Sequence, residues 1–199
     1  MKSRPRLGGR LFRTGMLTLA WGLMVTSLSG QGDPSKSKGG GGDYQVLKDS
    51  ANGFELEYPK KEWRPLPAGG STVGIIARND GGATLIIERS SLTEALTPAE
   101  IGAMPDVEVE RLKEQQPQAK DFNSQVIETK GGQGALVRYS RVGLGGRPER
   151  VMQYSLPAGL LLFRLTGVVP DGLQPKHEPT LTHMIDSFKA AAGQARSKP

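Results

Sequence analysis

Apolar and polar positions alternate most regularly between Ala135 and Val169. At period two, Val137 and Tyr139, then Met152, Tyr154 and Leu156, then Leu161, Phe163 and Leu165 place apolar side chains on one face of three successive strands. The turns between them are glycine-rich: Gly143, Gly145 and Gly146 supply the first reversal and Pro157-Ala158-Gly159 the second. This predicts an antiparallel meander. Upstream, YQVL and GFELEY read as two short strands reversing through Asn52-Gly53, with Pro59 closing the second. Pro65, Pro67, Gly69 and Gly70 predict a loop. STVGIIA and ATLIIERS then predict two strands reversing through Asn79 to Gly82, and their continuous apolar runs predict a sheet covered on both faces.

The helical period appears twice. Thr97-Pro98-Ala99-Glu100 has the spacing of a capping box with proline at the first helical position. Pro105 inside that stretch predicts a kink or a restart before VEVERLKEQQ, which should stop at Pro117. A strand from Phe122 to Thr129 and the glycines 131 to 134 lead back into the meander. After Val169, PDGLQPKHEP reads as a turn-rich crossing. Leu181, Met184, Ile185 and Phe188 then form one stripe of a helix that Ala190 to Ala192 should extend and Gly193 terminate.

The ends of the chain have a different texture. Residues 1–13 are basic, and an apolar run from Gly15 to Leu28 is followed by Ser29 and Gly30. That is the layout of a secretory signal peptide over residues 1–30, with an uncleaved membrane anchor as the alternative. The stretch QGDPSKSKGGGGD, residues 31–43, cannot bury enough to offset the entropy of ordering and is expected to be a flexible linker. Residues 44–192 then form a single domain, and 193–199 a disordered tail.

Charge and composition narrow the chemistry. Of the net +6, five charges belong to Lys2, Arg4, Arg6, Arg10 and Arg13, so the basic balance is a property of the leader and gives no reason to expect nucleic acid as a partner. There is no cysteine, which removes disulfides, thiol catalysis and thiolate metal sites. The two histidines, His177 and His183, stand near Asp171, Glu178 and Asp186, but at a spacing that does not share a helix face; they read as a solvated helix end. Gly70-Ser71-Thr72-Val73-Gly74 has the wrong spacing for a nucleophile elbow. Asp106, Glu108, Glu110 and Glu114, interleaved with Arg111 and Lys113, read as a solvated helix face and not as a paired acid and base. The glycine runs lack the following Lys-Ser/Thr of a phosphate cradle and read as hairpin turns. Arg138, Arg141, Arg147, Arg150 and Arg164 all fall on the meander. Arg138, Arg141 and Arg150 are the residues expected to meet an acidic partner, against the plainer reading of a polar outer sheet face.

The series Asn52-Gly53-Phe54-x-Leu56-x-Tyr58-Pro59-x-x-x-Trp63, the strand after Gly82, the Thr97-Pro98 helix start, the meander and the closing Ile185-Asp186-Ser187-Phe188 together resemble the PsbP-like superfamily, over about Tyr44 to Ala192. The resemblance implies an α+β fold, an antiparallel sheet sandwiched between helices, and a non-enzymatic binding or accessory role without cofactor. With the leader, the expectation is an extracytoplasmic protein, periplasmic or secreted, that interacts with another envelope or secreted protein and has no membrane span after signal cleavage. A small-ligand or metal-binding protein is the alternative, and a hydrolase is a third.

Overall fold

Between Gly132 and Pro170 the alternation becomes three long strands, and seven more lie around them. The computed structural model describes residues 43–191; the leader, all but the last residue of the linker, and the tail lie outside them. In chain order the elements are β1 (Tyr44–Asp49), β2 (Phe54–Pro59), β3 (Trp63–Leu66), β4 (Thr72–Arg78), β5 (Thr84–Ser91), α1 (Pro98–Gln115), β6 (Lys120–Thr129), β7 (Gly132–Val142), β8 (Pro148–Ala158), β9 (Leu161–Pro170), α2 (Gln174–Ser187) and β10 (Lys189–Ala190). The architecture is mostly antiparallel sheet with two helices. One sheet has three strands, ordered β1-β2-β10; the other has seven, ordered β3-β4-β5-β9-β8-β7-β6.

Register decides which residues share a face. Leu136 lies opposite Tyr154, and Tyr139 opposite Val151. Leu136, Met152, Tyr154, Leu156, Phe163 and Leu165 therefore pack with the stripe of α2 and with Phe54 and Leu56 of the small sheet. Val137, Tyr139 and Val151 pack on the other side with Leu112 of α1. The expectation that Val137 and Tyr139 share the face of Met152 and Tyr154 is thus corrected. In Ala135 to Tyr139 both parities are apolar, so period-two counting had no single answer there.

Four other expectations change. Trp63 to Leu66 is a strand rather than the start of a loop; it is the outermost strand of its sheet, where the missing N–H of Pro65 breaks no interior ladder. Helix α1 runs through Pro105 without a restart. The ring costs one hydrogen bond, but it is buried together with Met104 and Leu112, and that packing holds the helix. Helix α2 starts earlier than expected, with a proline in its first turn, and stops at Ser187. Phe188 there adopts ψ 134°, inserts its ring beside Phe54 and Phe163, and redirects the chain so that Ala190 pairs with Phe54 instead of extending the helix. Finally, β4 and β5 are fully buried on one face only, through Gly74, Ile76, Leu85 and Ile87. Helix α1 packs over β6 and β7 and leaves Ile75 and Ile86 half-buried.

The capping box at α1 is present in both directions: the Glu100 N–H donates to Thr97 Oγ1 and the Thr97 N–H to Glu100 Oε2. Gly134 sits within β7, not in a turn. A Cβ there would collide with the Ser155 carbonyl oxygen, so close strand packing demands glycine.

Candidate functional site

Arg138 on β7 and Arg150 on β8 reach the same face, because Arg138 is paired with Met152 and Arg150 with Ser140. Beside helix α2 this face holds a groove of about 360 Å³, with Met152, Val169 and Leu181 as its apolar floor. Gly167 lets α2 pack closely here, since a Cβ there would stand 3.0 Å from a Leu181 methyl and Leu181 would have to shift.

The polar wall of the groove is an ordered set of contacts. Arg138 Nε donates to Glu178 Oε1 at 3.2 Å. Arg150 Nη1 donates to Ser140 Oγ at 2.6 Å and lies 3.6 Å from Asp121, while its Nε reaches Asp171 at 3.4 Å. The Ser140 hydroxyl in turn donates a hydrogen bond to Asp121 Oδ2 at 2.7 Å. Gln174 donates to Asp171 at 2.8 Å, and this bond, with help from Arg150, holds the Asp171 carboxyl below the usual carboxylate range. Both guanidiniums are aimed by these bonds. The ion pairs nevertheless stay half-exposed, where such pairs contribute about 0–1 kcal/mol each, so an incoming carboxylate can replace an internal one at little loss.

Of the three arginines singled out from sequence, the structure brings Arg138 and Arg150 together. Arg141 points to the opposite face and pairs with Glu149 at 3.0 Å. Of the other groove residues, Asp121 and Gln174 were not singled out from sequence and Glu178 only as a neighbour of the histidines; they come from β6 and α2, distant in the chain, and no local pattern marks them as one groove. The histidines do not converge. His177 is buried under the β4–β5 turn, which corrects its reading as part of a solvated helix end; burial, then the nearby Arg78 guanidinium, pushes its pKa down. His183 is half-exposed, its ring tilted at 42° against Tyr44 with ring centroids 4.1 Å apart, and its Nε2 is 3.0 Å from Glu57. Among the described residues, no group of three or more His, Asp or Glu side chains is arranged to hold a metal ion. Ser71 is exposed at the foot of β4 and shares no hydrogen bond with either histidine among the described residues.

By sequence, the chain matches no family model and no curated protein. By fold it is similar to the solution structure of PsbP from the cyanobacterium Synechocystis sp. PCC 6803, with a TM-score of 0.57 at 18% identity, covering 79% of this chain and 99% of that one. The fold is PsbP-like. LpqN of Mycobacterium tuberculosis, involved in cell envelope biogenesis, is similar with a TM-score of 0.52 at 16% identity, over 74% of this chain and 90% of its own. The Saccharomyces cerevisiae Ran-binding protein Mog1p matches with a TM-score of 0.51 at 11% identity, over 74% and 95%. At these identities the likeness is one of fold.

The other side of the PsbP-like sheet holds a second polar cluster, and it corrects the reading of α1 as a purely solvated charged face. Glu108 is 4% exposed. Its Oε2 accepts from Arg111 Nε and Nη2 at 2.8 and 2.6 Å and from Gln153 Nε2 at 3.0 Å, and its Oε1 from Arg164 Nη2 at 3.3 Å. Arg164 is therefore an internal counter-charge and not part of a surface stripe. The signal was present in the spacing Met104, Glu108, Leu112, which puts Glu108 in the apolar stripe of α1 at i+4. This cluster is closed by its own bonds; the groove, with its weakly paired arginines, is the open one.

Proposed function

We propose that this PsbP-like domain is an exported, non-enzymatic accessory module, an α/β/α sandwich on a flexible tether, that binds another envelope or secreted protein through the groove of Arg138 and Arg150; Arg141, on the opposite face, takes no part. The observation that carries the proposal is the pair of half-exposed guanidiniums over an apolar floor. They are aimed but weakly satisfied, an arrangement suited to exchanging internal carboxylates for those of a partner. Support of a different kind comes from the neighbours. PsbP and a Ran-binding protein share the fold, and LpqN is involved in cell envelope biogenesis. No helix among the described residues is long and apolar enough to cross a membrane. The proposed signal peptide, residues 1–30, lies outside the described residues, and export is tested separately: replacing Leu17 and Leu19 with Asp should abolish it.

The size of the groove also suits a small organic ligand, which is the second reading. Affinity capture with the tagged chain, cross-linked in its own cells and read by mass spectrometry, separates the two. A stoichiometric protein partner that is lost when Arg138→Glu and Arg150→Glu are combined supports the accessory role. Absence of any protein, together with a melting temperature that rises with an added metabolite, transfers the groove to a ligand.

A further inference from the structure

At the groove end of the sheet, the β7–β8 turn and the β9–α2 turn lie side by side, joined by the Asp171 N–H donating to the Pro148 carbonyl at 2.9 Å. Leu144 stands at the tip of the first turn and is 95% exposed. Its position is built. The Gly143 N–H donates to Arg147 O at 2.8 Å and the Gly146 N–H to Gly143 O at 3.1 Å, while Gly145 and Gly146 both need positive φ. A Cβ at Gly143 would run into the Glu149 carboxylate. In the run from Gly143 to Gly146, Leu144 alone carries a side chain, and it points into water. Val142, 56% exposed, lies on the groove face below it, and Leu173, also exposed, lies on the neighbouring turn. The other large apolar side chains exposed among the described residues, Val46, Val107 and Leu160, are on separate elements.

Charge at this end leans positive. Asp121, Glu149, Asp171 and Glu178 are held by three arginines, Arg150 serving both Asp121 and Asp171. Arg147 in the turn, Lys120 beside Ser140, and Lys176 in the first turn of α2 have no ion-pair partner among the described residues. What faces outward is therefore a cationic rim around an apolar tip, next to a concave groove.

The geometry points to Leu144 as an anchor that inserts into an apolar pocket of an acidic partner protein, whose carboxylates meet Arg147 and the cationic rim while its surface fills the groove. This rests on the accessory reading above and names the chemistry of the partner. A protein fits better than an anionic membrane, because a planar bilayer can take up the leucine but cannot occupy the concave groove. A buried aliphatic anchor inside a ring of complementary charge is also the arrangement that concentrates binding energy at a few residues.

The test places a photo-crosslinking amino acid at position 144 of the full chain, with positions 46 and 160 as controls, in the cells that make it. The cross-linked protein is then purified and titrated with wild type, Leu144→Met, Leu144→Asp and Arg147→Glu. We expect cross-linking at 144 and not at the controls, to a protein of net negative charge. Leu144→Met should retain its affinity, Leu144→Asp should lose at least tenfold, and Arg147→Glu should lose less, with binding weakening as salt rises. Cross-linking at 46 or 160 but not at 144, or at 144 with no loss in Leu144→Asp, overturns the anchor and leaves the accessory role standing. Protein cross-links at none of the three positions overturn both. Should phosphatidylglycerol vesicles bind wild type but not Leu144→Asp, with no protein cross-linked at 144, the surface belongs to a membrane and the proposal fails.

Discussion

The two faces of the seven-stranded sheet are covered by opposite means. Under α2 and the small sheet, the cover is apolar and aromatic: the rings of Phe54, Phe163 and Phe188 meet at centroid distances of 5.3 to 6.4 Å, and Tyr154, Leu156, Leu165 and Met184 close around them. Under α1, the middle of the contact is the Glu108 carboxylate, with Arg111, Arg164 and Gln153 around it and only small apolar clusters to either side. The first kind of cover stabilises in proportion to buried area, about 1.5–3 kcal/mol for each large side chain. A buried ionic cluster contributes little net stability, since desolvation offsets most of its attraction, but it penalises any misplacement of the helix. One face supplies the stability; the other fixes where α1 sits.

The sharpest way to break the comparison is on the aromatic side. Phe188→Ala removes a fully buried ring between two others and should cost about 3 to 5 kcal/mol, read as a large drop in the thermal midpoint. An unchanged midpoint would put the ring outside the core. On the α1 side, Glu108→Leu strands Arg164 and Gln153 without their acceptor and should cost about 3 kcal/mol, nearer the lower end for such a deletion because Arg164 and Arg111 still reach water. Replacing Glu108, Gln153 and Arg164 all by Leu should recover most of that loss. If the triple variant is no more stable than the single one, the cluster is not merely an ionic substitute for apolar packing.

The same contrast explains what could be read from the chain. Where the pattern has one meaning, the reading held: the β1–β2 hairpin with its Asn52-Gly53 turn, the Thr97–Glu100 cap, and the stripe Leu181, Met184, Ile185, whose expected fourth member Phe188 is buried but lies past the helix end. Where both parities are apolar, as from Ala135 to Tyr139, face assignment needs the register to β8, which is a long-range property. Glu108 was hidden among charged neighbours that are solvated, although its i+4 relation to Met104 and Leu112 was legible. The nearness of Arg138 and Arg150 depends on strand pairing, and their carboxylate partners Asp171, Asp121 and Glu178 come from 21 to 40 residues away in sequence. A site assembled from β6, β7, β8, β9 and the start of α2 leaves no compact motif to find.

A finer probe uses pH on the α2 face. His177 is buried and faces Arg78 and Asp80 of the β4–β5 hairpin, Glu62 ahead of β3, and Lys176 on its own helix. Its pKa in the fold lies below the ordinary 6.5, so between the two values the unfolded chain binds more protons. Stability from this group is complete above about 6.5 and is lost as pH falls below it. Melting midpoints from pH 7.5 to 5 should decline more steeply for wild type than for His177→Gln. The carboxylates held low, Asp80, Asp171 and Glu100, act below this window, so they do not mask the difference. Equal slopes in the two proteins would mean that His177 is as solvated folded as unfolded.

The smallest effect is expected at the start of α1, and it reports on the ionic face from the outside. Thr97→Ala removes the acceptor for the Glu100 N–H in an exposed cap, which typically costs about 1 kcal/mol. Because the Glu108 cluster and the buried Leu112 hold α1 further along, fraying its first turn should be felt locally. Hydrogen exchange should accelerate at the amides of Ile101 to Pro105's neighbours while those of β8 and β9 stay protected. Were the whole sheet to exchange faster in Thr97→Ala, α1 and the aromatic core would form one cooperative unit, and the division of labour between the two faces would have to be abandoned.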